Sequence, residues 1–84
     1  MIIEIINESF GGDVKDKRSL HINSICRIAY SAVLYFELKE TLEEIAYKTN
    51  TTRGNVKHRL HKHRNMYEFD KIYKTNYNNL IEKI

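Results

Sequence analysis

Residues 41–67 read TLEEIAYKTNTTRGNVKHRLHKHRNMY, two short amphipathic patterns on either side of Asn50-Thr51-Thr52. Thr41 and Glu44 have the spacing of a capping box, in which the threonine oxygen accepts from an early helix N–H and the glutamate reaches back. Leu42, Ile45 and Ala46 then supply one apolar stripe. Asn50-Thr51-Thr52 ends that helix and offers N-cap residues for the next, because short hydroxyl and amide side chains satisfy orphan N–H groups. In the second helix Val56, Leu60 and Tyr67 fall within about 40° of one another at ~100° per residue, so they should face inward. Lys57, His58, His61, Lys62 and Asn65 take the other face. Between Ile45 and Tyr67 the charged residues are Lys48, Arg53, Lys57, Arg59, Lys62 and Arg64, with no carboxylate. A short helix, a turn and a helix with a basic outer face predict a helix-turn-helix over residues 42–66 and a duplex-DNA ligand. The competing reading of any charge run is an ordinary solvated face.

Outward from this stretch, 84 residues make one small domain with a single core. Pro is absent and there are three Gly, which suits an all-α bundle better than a β-sandwich. The net charge of +3 is mild, so its distribution matters more than its total. Acids gather at Glu37, Glu40, Glu43 and Glu44, and the bases follow them. Cys26 is the one cysteine, which rules out an intrachain disulfide and fits a reducing cytoplasm. It reads as a small core residue. The MIIEII start has no basic segment and is interrupted by Glu4, so no secretory signal is expected. The apolar run from Ile25 to Phe36 is broken by Arg27 and Ser31 and is too short to span a bilayer.

The flanking segments read as helices that hold the central pair. Ile2, Ile3, Ile5, Ile6 and Phe10 fit a strand or a short helix; a helix ended by Gly11-Gly12 in the left-handed conformation is the expectation. Asp13 is placed to cap a further turn, leading to a basic junction at Lys17, Arg18 and His21. The longest helix should run from about Ile22 to Leu38, with Ile22, Ile25/Cys26, Ala29, Ala32/Val33 and Phe36 inward and Tyr30, Leu34, Tyr35 and Leu38 widening the stripe. Arg27 should project from it, toward phosphate or toward a nearby carboxylate. Asp70 is the expected N-cap of a last amphipathic helix carrying Ile72/Tyr73, Tyr77, Leu80/Ile81 and Ile84. Tyr73 and Tyr77 sit at core spacing and should pack rather than stack on bases.

Catalytic chemistry finds little support. There is no Gly-rich phosphate loop, nucleophile elbow or carboxylate pair, and Glu43/Glu44 are explained by capping and the helix dipole. No enzymatic activity, cofactor or small-molecule substrate is expected. His58, His61 and His63 raise the question of a metal, but a stable site wants three or four ligands and the neighbours Arg59, Lys62 and Arg64 repel a cation. Histidines in a basic helix are better read as phosphate donors.

Several residues in order carry a family likeness. Arg27 and Ala29 in the long helix, then Leu42-x-Glu44-Ile45-Ala46, are similar to an Arg/Ala pair and an S-L-x-E-I-G run. Val56-x-His58 after the turn, Lys62, and the close Tyr77-x-Asn79-Leu80-Ile81 continue the pattern, and Lys17-Arg18-Ser19 sits at the place of a basic K-R-R-S-R loop. Together, over nearly the whole chain, they resemble the C-terminal DNA-binding domain of the bacterial replication initiator DnaA, in the Trp-repressor-like helix-turn-helix group. The resemblance implies that the second helix enters the major groove and that the loop with Lys17 and Arg18 reaches the minor groove. This chain departs from the family at the start of the second helix, where Thr52, Arg53, Gly54 and Asn55 replace D-H-T-T. Recognition of the initiator's usual box is therefore not implied.

The expectations are accordingly these. Thr52, Arg53 and Asn55 read bases, with Arg53 suited to guanine and Asn55 to adenine. Lys17, Arg18, Arg27, Thr51, Lys57, His58 and Lys62 hold the backbone. With no room for the initiator's ATPase module, the chain is expected to be a free-standing, cytoplasmic, nucleoid-associated protein of the kind found in phages and mobile elements, regulating replication or transcription as a monomer or homodimer. The alternative from another class is a protein-interaction module that keeps the fold without DNA.

Overall fold

The computed structural model describes residues 2–16 and 21–84. Five helices, with no strand among the described residues, fill a volume of 28 × 25 × 25 Å. α1 (Ile2–Phe10) ends at Gly11, whose φ of +76° and N–H bond to the Asn7 carbonyl make the expected left-handed stop. A loop follows in which Asp13 organises a turn: its carboxylate accepts from the Lys15 N–H and its own N–H donates to Asn23 Oδ1. Gly12 is required by closeness, since a Cβ there would lie 2.9 Å from both Cys26 Sγ and the Ile22 carbonyl. The junction residues Lys17 and Arg18 lie outside the described residues.

α2 (His21–Ala32) continues without a break into a wider π-helical turn, Val33–Glu37. The turn closes with Leu38 N–H on the Val33 carbonyl and Glu40 N–H on the Leu34 carbonyl, and Lys39 takes φ of 58°. α3 (Leu42–Lys48), α4 (Arg53–Phe69) and α5 (Lys71–Lys83) complete the chain. Asp70 caps α5 as expected, its carboxylate accepting from the Tyr73 N–H.

Two packed clusters hold these elements. The larger joins Ile6 and Phe10 of α1, Cys26, Ala29, Ala32 and Val33, and Tyr73, Tyr77 and Leu80 of α5. The smaller comprises Leu34, Ile45, Ala46 and Val56, and it fixes α3 and α4 against the π-turn. Tyr30 and Leu60 pack on both. Each fully buried aliphatic side chain contributes roughly 1.5–3 kcal/mol over exposure, so Leu34, Ile45 and Val56 largely determine how the α3–α4 pair is seated.

Some inward assignments are corrected. Ile22, Tyr35 and Leu38 are exposed, as are Ile72 and Ile84, whereas Ile28 is buried. The π-turn explains two of these: with an extra residue in the turn, positions beyond Val33 no longer follow a 3.6-residue period. Phe36 is half-buried and Tyr35 turns to solvent. Among the described residues no helix is long and apolar enough to cross a membrane.

Candidate nucleic-acid interface

The α3–α4 pair is built by local bonds that its sequence dictates. Thr41 Oγ1 accepts from the Glu44 N–H at 3.1 Å, and the Thr41 N–H donates to Glu44 Oε1 at 2.8 Å. These bonds hold the Glu44 carboxyl below the usual carboxylate range. The end of α3 is a Schellman closure: Thr51 N–H reaches the Ala46 carbonyl, Asn50 N–H the Tyr47 carbonyl, and Asn50 sits at φ of 51°. Asparagine tolerates this left-handed position better than most residues. Thr49 adds its hydroxyl to the Ile45 carbonyl at 2.8 Å.

Thr52 caps α4, accepting from the Asn55 N–H at 3.1 Å. Its hydroxyl oxygen is thus already used in the fold. Asn55 is exposed and donates its side-chain amide to Thr51 Oγ1 at 2.8 Å, which orients the amide at the first turn of α4. Arg53 is exposed and pairs with Glu43 at 3.2 Å, both side chains being more than half accessible. An ion pair so open to water contributes ~0–1 kcal/mol and exchanges readily for another anion.

Beyond the cap, Lys57, His58, His61, Lys62, Arg64 and Asn65 are all exposed, and Val56 is fully buried behind them. The face therefore presents four cationic side chains from Arg53 to Arg64, and the one described ion pair on it is Arg53–Glu43. Arg59 departs from this set. It is half-buried, and its guanidinium lies on the flank toward α2.

Arg27 is half-buried and donates from Nη2 to the main-chain carbonyl of Asp16, in the loop after α1, in place of the carboxylate partner that is one of its two expectations. His63 lies apart from the two exposed histidines of α4. It is 6% exposed, with Nδ1 2.7 Å from the Tyr73 hydroxyl and its ring against Phe36, Tyr67 and Tyr77. Burial, and then the charge of Arg64, lower its pKa to about 4, so it is a neutral packing residue at pH 7 and no phosphate donor. Burial likewise pushes the Tyr73 and Tyr77 phenols up. The three histidines do not converge, and among the described residues no group of three metal-ligating side chains forms.

One grouping is not legible in the sequence. Lys15, Arg27, Lys48 and Arg59 line a common cavity on the flank of α4, although they come from four separate elements. Their spacing in the chain carries no signal of this; only Arg59 hinted at it, lying about 60° from the Val56 line at ~100° per residue. No family model matches the chain, and no curated protein or solved structure matches it either.

Proposed function

We propose that this protein is a non-enzymatic double-stranded-DNA-binding module, with residues 42–66 acting as a helix-turn-helix and α4 lying in the major groove. The observation that carries the reading is the outward, unburied basic face of α4. Lys57, His58 and Lys62 of that face, with Thr51 from the turn, hold the backbone, and Arg53 and Asn55 address base edges. Thr52 contributes chiefly by capping and so by positioning its two neighbours. Lys17 and Arg18 reach the adjacent minor groove, as the resemblance to the DnaA domain implies, and Arg27 anchors the Asp16 carbonyl that precedes them in sequence. Placing Arg53 beside an exposed Glu43 leaves it easily transferred to a base, because the pair it gives up is weak in water. The setting is the cytoplasm near the nucleoid, in control of replication or transcription, with no cofactor and no metal.

Lysine and arginine contacts at Lys17, Arg18, Lys57 and Lys62 predict a log–log salt slope on the order of −4. Fluorescence anisotropy with a duplex pool, followed by selection from random duplexes, measures affinity, sequence and half-site symmetry together. Lys57→Glu with Lys62→Glu should reduce affinity by about 100-fold or more, at two reversed phosphate contacts, without changing helicity. Wild-type affinity in that double variant would remove α4 from the docking face.

A second reading has its own support in the exposed apolar side chains Tyr47, Phe69 and Ile72, at 89%, 79% and 76% exposure. Together with the departure from D-H-T-T at residues 52–55, they fit a protein-interaction module. Absence of duplex binding even at low salt would select it.

A further inference from the structure

Behind the turn between α3 and α4 lies a cavity of about 620 Å³, walled by the loop after α1, by α2 and by the flank of α4. Lys15, Arg27, Lys48 and Arg59 line it, against one carboxylate, Asp16, among the described lining residues. Like charges gathered in a half-buried place repel, and here the fold pays for that. Arg59 is held below the ordinary guanidinium range, first by burial and then by the charge of Arg27. Its Nη1 is closed off from water and makes no hydrogen bond among the described residues. A buried donor left without a partner is destabilising, and rearrangement around an anion would relieve it.

The remaining groups are compatible with an anion. Lys48 is tied to Glu40 at 2.6 Å and can swing from it, since its side chain is about half accessible. Arg27 is anchored by the Asp16 carbonyl and so is held in the wall of the cavity. The carbonyls ending α3 would repel an anion, but those of Ile45, Ala46 and Tyr47 already accept bonds from residues 49–51.

We propose that this cavity is a receptor for a phosphate-bearing anion, gripped by the Arg27 and Arg59 guanidiniums with Lys15 and Lys48 balancing its charge, and distinct from the outward face of α4. Guanidinium forks match the oxygens of a phosphate. The volume lies within the ~300–1,000 Å³ of small-ligand sites, enough for a nucleoside phosphate. Two sources offer this chemistry: a free phosphorylated small molecule, or a phosphate of a nucleic-acid backbone passing over the turn. Thr51 lines the cavity and also accepts from Asn55, so occupancy would be felt at the start of α4.

The test is a titration of the full chain with sodium pyrophosphate at constant ionic strength, followed by backbone and arginine Nε–Hε resonances. Saturable shifts at Arg27, Lys48, Thr51 and Arg59 are expected, with affinity lowered about 10-fold or more in Arg59→Gln, as loss of a charge-assisted bidentate contact requires. Should that variant fail to fold, Lys15→Gln, at an exposed position, is expected to weaken binding about threefold. Shifts that do not saturate, or that centre on Lys57 and Lys62, would overturn the proposal. A second arm identifies the source. Competition between pyrophosphate and duplex, with Arg59→Gln weakening both, assigns the cavity to a backbone phosphate; unchanged duplex affinity assigns it to a free ligand. The first arm contains no DNA, so failure of duplex binding leaves it standing.

Discussion

From Arg53 to Lys62, α4 turns His58 and His61 to solvent among lysines; one residue further on, the same helix buries His63 against Tyr73, Tyr77 and Phe36. Both halves of α4 carry histidine next to basic residues, and they differ in what surrounds it. In the first half the neighbouring helix is short, and its apolar stripe meets only the Val56 side of α4. In the second half α5 closes over the helix, and an imidazole is drawn in with a phenol as its hydrogen-bond partner. A histidine's role along this helix is therefore decided by angle and by what packs there, not by the charges beside it in sequence.

The largest effect separating the halves should come from His63→Ala, which removes an aromatic-sized body from the core and leaves the Tyr73 hydroxyl unpartnered. Chemical denaturation should register a loss of roughly 3–4 kcal/mol, while duplex affinity of the folded fraction stays the same. If affinity fell in step with stability, the two halves would not be separable. Asn55→Ala, from the first half, should do the opposite. Selection and anisotropy should find preference relaxed at one base pair by about 1–3 kcal/mol, with thermal stability nearly unchanged. A uniform loss over all sequences would take Asn55 out of base reading.

Acid provides the next distinction. His63 has its folded pKa depressed to about 4 from 6.5, so below pH 6.5 the unfolded chain takes up a proton that the folded one refuses. Stability should fall as the pH drops from about 6.5 toward 4 and then level off for this group. Between pH 7 and 5 the loss should be roughly 1–2 kcal/mol after allowance for solvent screening, and His63→Phe should flatten it in pH-dependent denaturation curves. The smallest effect belongs to Glu43→Gln, which frees Arg53 from an exposed pair. Stability should change by less than about 0.5 kcal/mol and duplex affinity should rise no more than a few-fold. A larger destabilisation would mean that the pair helps to seat α3 on α4.

Signals confined to one turn were legible in the sequence. The Thr41–Glu44 box, the Thr52 and Asp70 caps and the Gly11 stop each rest on bonds between residues at most four apart, and all four form. Tyr73 and Tyr77 were also readable as core, since their four-residue spacing matches the α-helical period. The π-turn was not legible, because nothing in Val33–Glu37 announces an added residue per turn, and the exposure of Tyr35 and Leu38 was missed with it. His63 was readable in principle, lying about 20° from the Val56 line at ~100° per residue, but its basic neighbours drew it into the wrong set. The cavity cations were beyond reach, since four separate elements deliver them and their meeting depends on how α1, α2 and α4 are stacked.

The close passage at Gly12 makes Cys26 useful in another way. Its thiol is fully enclosed, and the backbone of Gly12 runs so near the sulfur that even a methyl group there would collide. Burial also raises the thiol pKa, which slows alkylation further. A maleimide or disulfide reagent can therefore reach the sulfur only after α1 and its loop have lifted from α2. The labelling rate of this lone cysteine is in effect a clock for how often the amino-terminal end of the molecule opens.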